Sequence, residues 1–389
     1  MKKTKTAAMI YCILIMIITG ASDALRGVFL PQLKDSFSLS AAQSSHIIMI
    51  SYVGNLLFLF VGGYLADRLP RKRFIAGVML MWMSALALYV TTESYAVLMF
   101  AMIFSMGAST MLSTTVNLIT PILFASPALF MNIFNFCQGV GITLSQNVGG
   151  RYSDSIGSWH GANAILLACA AVCLILLFTL RLPDPDPEAR NGSVLRSYGT
   201  VIKNHACIFL ILLCGLYNMA EHGLQNWLTS YGSEYLGFSV SRSAFFLSVF
   251  FGGITAGRLI FAPLVQKLGV FRSLLIWSAV SALLYIFGIL LGRTGIYLIC
   301  ISGLAFSIIW PTLVLLISKF YDSKLVGAAT GFIIGISNFF DIGFNACFGS
   351  LVQKLGYGVS IKILPAAMLL FAITLYVLRF AVKESKSVT

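Results

Sequence analysis

The stretch "GGYLADRLPRKR", Gly62 to Arg73, holds five charged residues: Asp67, Arg68, Arg71, Lys72 and Arg73. On each side of it lies an apolar run of about twenty residues, the length that spans a bilayer as a helix. Pro70 has no backbone N–H and disfavours helix in the residue before it, so the two runs are separate helices rather than one. A short charged turn between two membrane-length runs predicts a helical hairpin with its turn at the membrane surface.

Outward from this hairpin the same pattern fills the chain. Apolar windows fall near 7–30, 45–66, 74–92, 95–118, 127–148, 161–180, 204–229, 241–264, 270–291, 294–318, 325–348 and 358–380, twelve in all. Of the 389 residues 58% are hydrophobic and 10% charged, against about a quarter charged in an ordinary soluble domain. Lipid offers no partner for a free backbone group, so the windows are expected as helices; a barrel would show short alternating strands instead. The expected fold class is an all-α membrane protein of twelve transmembrane helices.

Charge gives an expected orientation. Of the 26 Lys and Arg, Arg26 and Arg258 lie inside apolar windows. Lys34, Arg151, Arg242, Arg293, Lys354 and Lys362 fall in one set of loops, and the other eighteen fall in the tails and the opposite loops. That bias places both termini in the cytoplasm, and the inner membrane of a bacterium is the expected location. The formal charge of +13 is spread over these short segments, which does not make a nucleic-acid-binding patch. The "MKKTKTAAMI" start resembles the charged region of a signal peptide, but removing it would leave an odd helix count and invert every later loop. The eight cysteines have no CxxC pair and read as small apolar residues.

"RLPDPDPEARNGSVLRSYGTVIKN", Arg181 to Asn204, is the longest polar stretch, and its alternating prolines stop a helix. It divides the chain into an N-terminal six-helix bundle (1–180), a cytoplasmic linker (181–203) and a C-terminal six-helix bundle (204–389). The halves repeat. "GGYLADRLPRKR" (62–73) falls against "FAPLVQKLGVFR" (261–272), and "GGRYSDSIG" (149–157) falls against "FGSLVQKLG" (348–356), at nearly one offset. Six plus six about a central loop is the layout of a secondary transporter with its site where the halves meet.

The hairpin turn resembles the loop after the second helix in the major facilitator superfamily: a glycine, three residues, Asp-Arg, two residues, two basic residues. Here these are Gly63, Asp67, Arg68, Arg71 and Lys72. The resemblance implies a cytoplasmic gate, with Asp67 latching neighbouring helix ends through basic partners. In the second copy Gln266-Lys267 replaces Asp-Arg, which implies a weaker latch there. Further patches resemble the fucose/galactose/glucose–proton symporter family, a sugar porter group: "FLPQLKDSFSLS" (29–40), "AEHGLQNWLTSY" (220–231), "SVFFGGITAGRL" (248–259) and "IIWPTLVLLI" (308–317). Two departures stand out. Gly27 occupies the position of that family's first-helix acid, with Asp23 one turn earlier, and Ser113 replaces its fourth-helix acid.

Inside the membrane the polar residues form stripes. Asp23 and Arg26 share a face of the first segment, either as a neutralised structural pair or as a cavity-lining pair that binds substrate or proton. Thr110-Ser113-Asn117, Asn218-Glu221-Gln225 and Asn338-Asp341-Asn345 repeat one i, i+3, i+7 spacing, and Asn135, Gln138 and Gln146 make a strip on the fifth segment. Amides donate and accept, which suits sugar hydroxyls, and Trp227 and Trp310 offer flat faces to a sugar ring. The expected substrate-binding set is Asp23, Arg26, Asn117, Asn135, Gln138, Glu221, Gln225, Trp227, Trp310, Asn338 and Asp341, with Asp23, Glu221 and Asp341 for proton coupling. Gly253 with Gly257, and Gly327, Gly331 and Gly335, read as packing residues, and Arg258 as one that snorkels to the membrane surface.

The expected function is alternating-access transport of a small polar solute, a sugar, with a proton, by a monomer in the lipid bilayer. No metal or other cofactor is expected. A sugar uniporter and a drug or organic-ion antiporter are the alternatives. "SQNVGG" (145–150) lacks the Gly-Pro of the antiporters' fifth-helix signature, which lowers the second. No phosphate loop and no His-Glu-x-x-His occurs, and His46, His160, His205 and His222 lie in separate segments, so no enzyme is expected.

Overall fold

The computed structural model describes residues 2–124, 127–151, 159–180, 182, 194–322 and 325–387. These residues form helices and no strand. The first six are α1 (Lys2–Ser36), α2 (Ala41–Arg68), α3 (Arg71–Thr91), α4 (Tyr95–Leu123), α5 (Pro127–Arg151) and α6 (Trp159–Thr179). After a short α7 (Val194–Ile202) come α8 (Ala206–Ser230), α9 (Val240–Leu268), α10 (Val270–Leu290), α11 (Gly292–Phe306) with α12 (Ile309–Ile317), α13 (Val326–Leu355), and α14 (Tyr357–Ser360) with α15 (Ile363–Ser387). The twelve expected windows each lie on one of these elements or adjacent pairs. Ten stretches among the described residues are long and apolar enough to cross a membrane.

Helix ends follow from local chemistry. Ser40 caps α2 with a capping box, its side chain accepting from the Gln43 N–H while the Gln43 side chain accepts from the Ser40 N–H. Pro70 precedes α3 and Pro127 opens α5, positions where a missing N–H is harmless. The tenth window is broken between α11 and α12 at Ser307–Ile308, four residues before Pro311. Proline cannot donate to the carbonyl four residues back and clashes with it, which accounts for the position of the break. Beyond α8 the chain makes one π-helical turn, Tyr231–Tyr235.

The chain divides into two compact units. One comprises residues 1–192 with 238–248, and the other residues 193–237 with 249–389. In the first unit α1 packs chiefly on α5, α2 on α4, and α3 on α4 and α6. Backbones meet closely where α1 crosses α5: a Cβ on Gly141 would strike the Ile17 carbonyl oxygen, and one on Gly20 the Gln138 carbonyl oxygen. In the second unit α8 packs on α13 and α15, and α10 on α11 and α15. There Gly253 and Gly257 stand against Leu304 and Ser307, as expected of packing residues, whereas Gly327 and Gly331 meet nothing.

The polar stretch read as a linker is helical over its last part. Its α7 sets Tyr198 against Phe332, ring centroids 5.2 Å apart, and buries Val201, whose carbonyl accepts from Tyr321 Oη at 3.1 Å. The alternating prolines of that stretch lie outside the described residues. Cys12, Cys173, Cys207, Cys214 and Cys300 are buried, while Cys347 is exposed.

Candidate functional site

The buried charge of the first unit is Arg26 on α1, 3% exposed. Its Nη1 donates to Ser51 Oγ at 2.6 Å, and its guanidinium lies 4.8 Å from the centroid of the Tyr52 ring. Ser51 and Tyr52 lie on α2, so a hydroxyl and a π face from the neighbouring helix hold the cation. The charges of Asp23 and Arg26 both reach the Tyr89 phenol of α3. Asn55 on α2 accepts from Thr110 Oγ1 on α4 at 2.9 Å.

The expected stripes of this unit divide. Ser113 donates to the Thr110 carbonyl and Asn135 Nδ2 to the Met131 carbonyl, so both turn back onto their own helices. Asn117 keeps a buried Oδ1 with no hydrogen bond, and Gln146, fully buried, has neither amide atom bonded. Such atoms are uncommon in a folded chain and mark places where a polar group from outside can bind. Gln138 sits against Gly20 at the crossing of α1 and α5.

In the second unit Glu221 and Asp341 are both buried, and Asp341 on α13 has no exposed side-chain surface. Its Oδ1 and Oδ2 each lie 3.1 Å from Nδ1 of His222 on α8, whose side chain is 30% exposed. A histidine thus faces the buried carboxylate across the contact of α8 with α13. Asn345, one turn on, donates Nδ2 to the Asp341 carbonyl at 2.8 Å and accepts from Trp227 Nε1 at 3.0 Å. Asn218 Nδ2 reaches Ser337 Oγ at 3.5 Å. The stripes on α8 and α13 therefore face each other.

Glu221, Gln225 and Asn338 are buried beside this ladder. Trp227 is 1% exposed with Phe348 against its ring, so its face is covered by protein here. Trp310 on α12 stacks on Tyr217, centroids 5.6 Å apart. The charges of Glu221 and Arg258 both reach the Tyr217 phenol, and Arg258 Nε is buried without a hydrogen bond. Arg258 is half-buried, with its Nε inside the second unit.

At the hairpin turn Lys72 Nζ donates to the carbonyls of Phe178 and Leu180, at 2.7 and 3.0 Å, clasping the end of α6. The side chains of Gly63, Asp67 and Arg68 lie outside the described residues. Reading the sequence missed His222 as the partner of Asp341 and Ser51 as that of Arg26. The signal available for His222 was its i, i+4 spacing from Asn218 on the striped face. Among the described residues no group of three or more His, Cys, Asp or Glu side chains could hold a metal.

Known proteins share this architecture. The chain is 24% identical over 280 residues to the MFS-type transporter YceJ of Bacillus subtilis strain 168, covering 70% of each chain. Among solved structures, the nucleoside transporter NupG superposes with a TM-score of 0.72 at 15% identity, over 97% of this chain and 98% of that one. A single-residue variant of the E. coli fucose:proton symporter FucP superposes with a TM-score of 0.69 at 15% identity, over 96% and 99%. At such identities these two structures speak to the fold alone. The sequence model of the Major Facilitator Superfamily matches residues 12–340. The twelve-helix fold and this match together make the chain a member of the Major Facilitator Superfamily, a secondary transporter and not an enzyme.

Proposed function

We propose that this transporter imports a small polar solute, a sugar, together with a proton. The observation that carries the coupling is the contact of both Asp341 carboxylate oxygens with His222 Nδ1 at 3.1 Å. With neutral imidazole the pair carries a net negative charge inside the protein, and with one proton bound it is neutral overall. Burying a net charge is costly, so the pair favours the loaded form before the protein reorients. Partial exposure of His222 gives the proton a route in and out.

The substrate class rests on side-chain chemistry. Asn117, Gln138, Gln225 and Asn338 offer amides to hydroxyls, and Asp23 and Glu221 supply acceptors that bind hydroxyl pairs strongly. Asn135, Trp227 and Trp310 complete the proposed lining, and Asp23 and Glu221 join Asp341 as proton-coupling acids. Asp67 with Arg68, Arg71 and Lys72 forms the proposed gate at the cytoplasmic side. The excess of basic residues in one set of loops supports a bacterial inner membrane with both termini cytoplasmic, and the proposed unit is a monomer.

Arg26, buried in the first unit, and Arg258, whose Nε is buried in the second, favour an organic anion as the second reading. The test is uptake into proteoliposomes of labelled hexoses, deoxyhexoses, amino sugars and small carboxylates, with and without an inward proton gradient. Accumulation of one sugar above its outside concentration, abolished by an uncoupler, is the expected result. Equilibration that ignores the gradient would leave a uniporter. Uptake of the carboxylates alone would transfer the assignment to the second reading.

A further inference from the structure

Apart from the two polar clusters, the described residues contain a pocket of about 560 Å³ beside the hairpin turn. It is lined by Pro70, Lys72, Arg73 and Ala76 at the start of α3, by Phe178 from the end of α6, and by Leu180 and Leu182 just after it. Two features set its chemistry. The first is charge: α3 opens on Arg71, Lys72 and Arg73 with no acid in its first turn. Lys72 uses two of its three donors on the Phe178 and Leu180 carbonyls, which fixes its ammonium at the pocket wall with one donor left over. Arg73 is exposed, and its planar fork suits the oxygens of a phosphate.

The second feature is that the apolar side of the pocket continues into the bilayer. Ile165, Val172, Ile175 and Phe178 are all exposed and recur along one face of α6, a membrane-length helix. Phe178 to Ile165 spans about 20 Å at the rise of an α-helix, longer than the roughly 15 Å of one leaflet's hydrocarbon. A soluble anion would use the cations and leave this column bare. A phospholipid uses both, with its acyl chain along the column and its phosphate between Lys72 and Arg73. A head group bearing its own ammonium would set a cation against these two, so the fit is to a lipid with net negative charge.

We infer that the pocket between the start of α3 and the end of α6 is a binding site for one anionic phospholipid of the phosphatidylglycerol type. By the direction of the basic-residue bias it lies in the cytoplasmic leaflet, where the hairpin turn is expected to gate. The site stands whether the transported solute is a sugar or an organic anion. An annular lipid held at Lys72 also steadies the clasp between α3 and α6 beside that turn.

The full-length protein, purified in a neutral detergent, is titrated with phosphatidylglycerol or phosphatidylcholine, and bound lipids are counted by native mass spectrometry. The first phosphatidylglycerol is expected to bind at least about fivefold more tightly than phosphatidylcholine, the scale of one basic residue near an anionic surface. Arg73→Gln removes an exposed side chain that makes no packing core, and it should lower that preference about fivefold. Lys72→Gln should lower it as well, with a fall in melting temperature from the lost clasp. Arg272→Gln, an exposed cation in the first turn of α10, should change nothing. Equal binding of the two lipids, or an Arg73→Gln protein that keeps the full preference, overturns the site. Displacement of phosphatidylglycerol by millimolar inorganic phosphate overturns it too, since the pocket would then be a simple anion site.

Discussion

Arg26 in the first unit and Asp341 in the second are both withdrawn from solvent, and their surroundings handle that burial in opposite ways. Arg26 donates to a serine hydroxyl and lies over a tyrosine ring face. Its own guanidinium never releases its proton, so this charge is permanent. Asp341 is held by a histidine, a side chain that in general carries charge only when protonated. Arg26 is a permanent charge, whereas Asp341 faces a group whose charge depends on a proton. Under the proposed function the difference gives them different work: orientation of a ligand for the first, coupling for the second.

The sharpest attack on that contrast is Asp341→Asn, which keeps the shape and removes the switch. Proton-driven accumulation should fall to a ratio of about one, the value for a carrier whose coupling free energy is zero. Exchange of labelled for unlabelled solute without a gradient should continue. Undiminished accumulation in this variant would move coupling to Asp23 or Glu221 and erase the contrast between the halves. His222→Ala is next. It strands a buried carboxylate, which costs about 3–5 kcal/mol where the charge stays ionised. Thermal unfolding in detergent should show a large fall, partly restored in the His222→Ala, Asp341→Asn double variant, because the double change removes the stranded charge. A double variant no more stable than the single one would mean that the pair does not act as a unit.

Arg26→Ala should cost about 2–3 kcal/mol, from a charged hydrogen bond and a cation–π contact. Arg26→Lys keeps the charge and loses the fork, so coupling should persist while solute affinity drops several-fold. If Arg26→Lys abolished accumulation instead, the fixed charge would belong to the coupling machinery and the division of labour would fail.

The sequence made the helices legible because each apolar run is bounded by charge or proline, as at Leu69-Pro70. It also made the tenth segment's break readable in principle, since Pro311 must disturb the carbonyl at Ser307. The helical end of the linker was hidden, because α7 owes its order to contacts with α13 and the loop before it that its nine residues do not announce. Stripes along one helix were visible through spacing, whereas partners across helices were not. Asp341 and His222 are 119 positions apart, and no period in the chain connects them. For the same reason spacing set Ser113 and Asn135 on polar stripes without showing that each also bonds a carbonyl of its own helix.

The smallest effects test whether the two halves also differ in how tightly they are built. Gly141 sits where α5 meets the α1 backbone, and a side chain there would strike the Ile17 carbonyl. Gly141→Leu should therefore destabilise by about 1–3 kcal/mol, the range for overpacking a closed contact. Gly331 on α13 has no atom within 4 Å of an added Cβ. Gly331→Ala should stabilise slightly, by about 0.5–1 kcal/mol, because alanine loses less backbone freedom in a helix. The sign is the informative quantity, read as a shift in melting temperature. A fall on Gly331→Ala would mean that this face of α13 is contacted during the transport cycle, and the glycine would then be serving motion near Asp341 in place of packing. A rise, with uptake unchanged, would leave α13 a passive carrier of its titrating pair and locate the tight seam of the molecule at the crossing of α1 and α5.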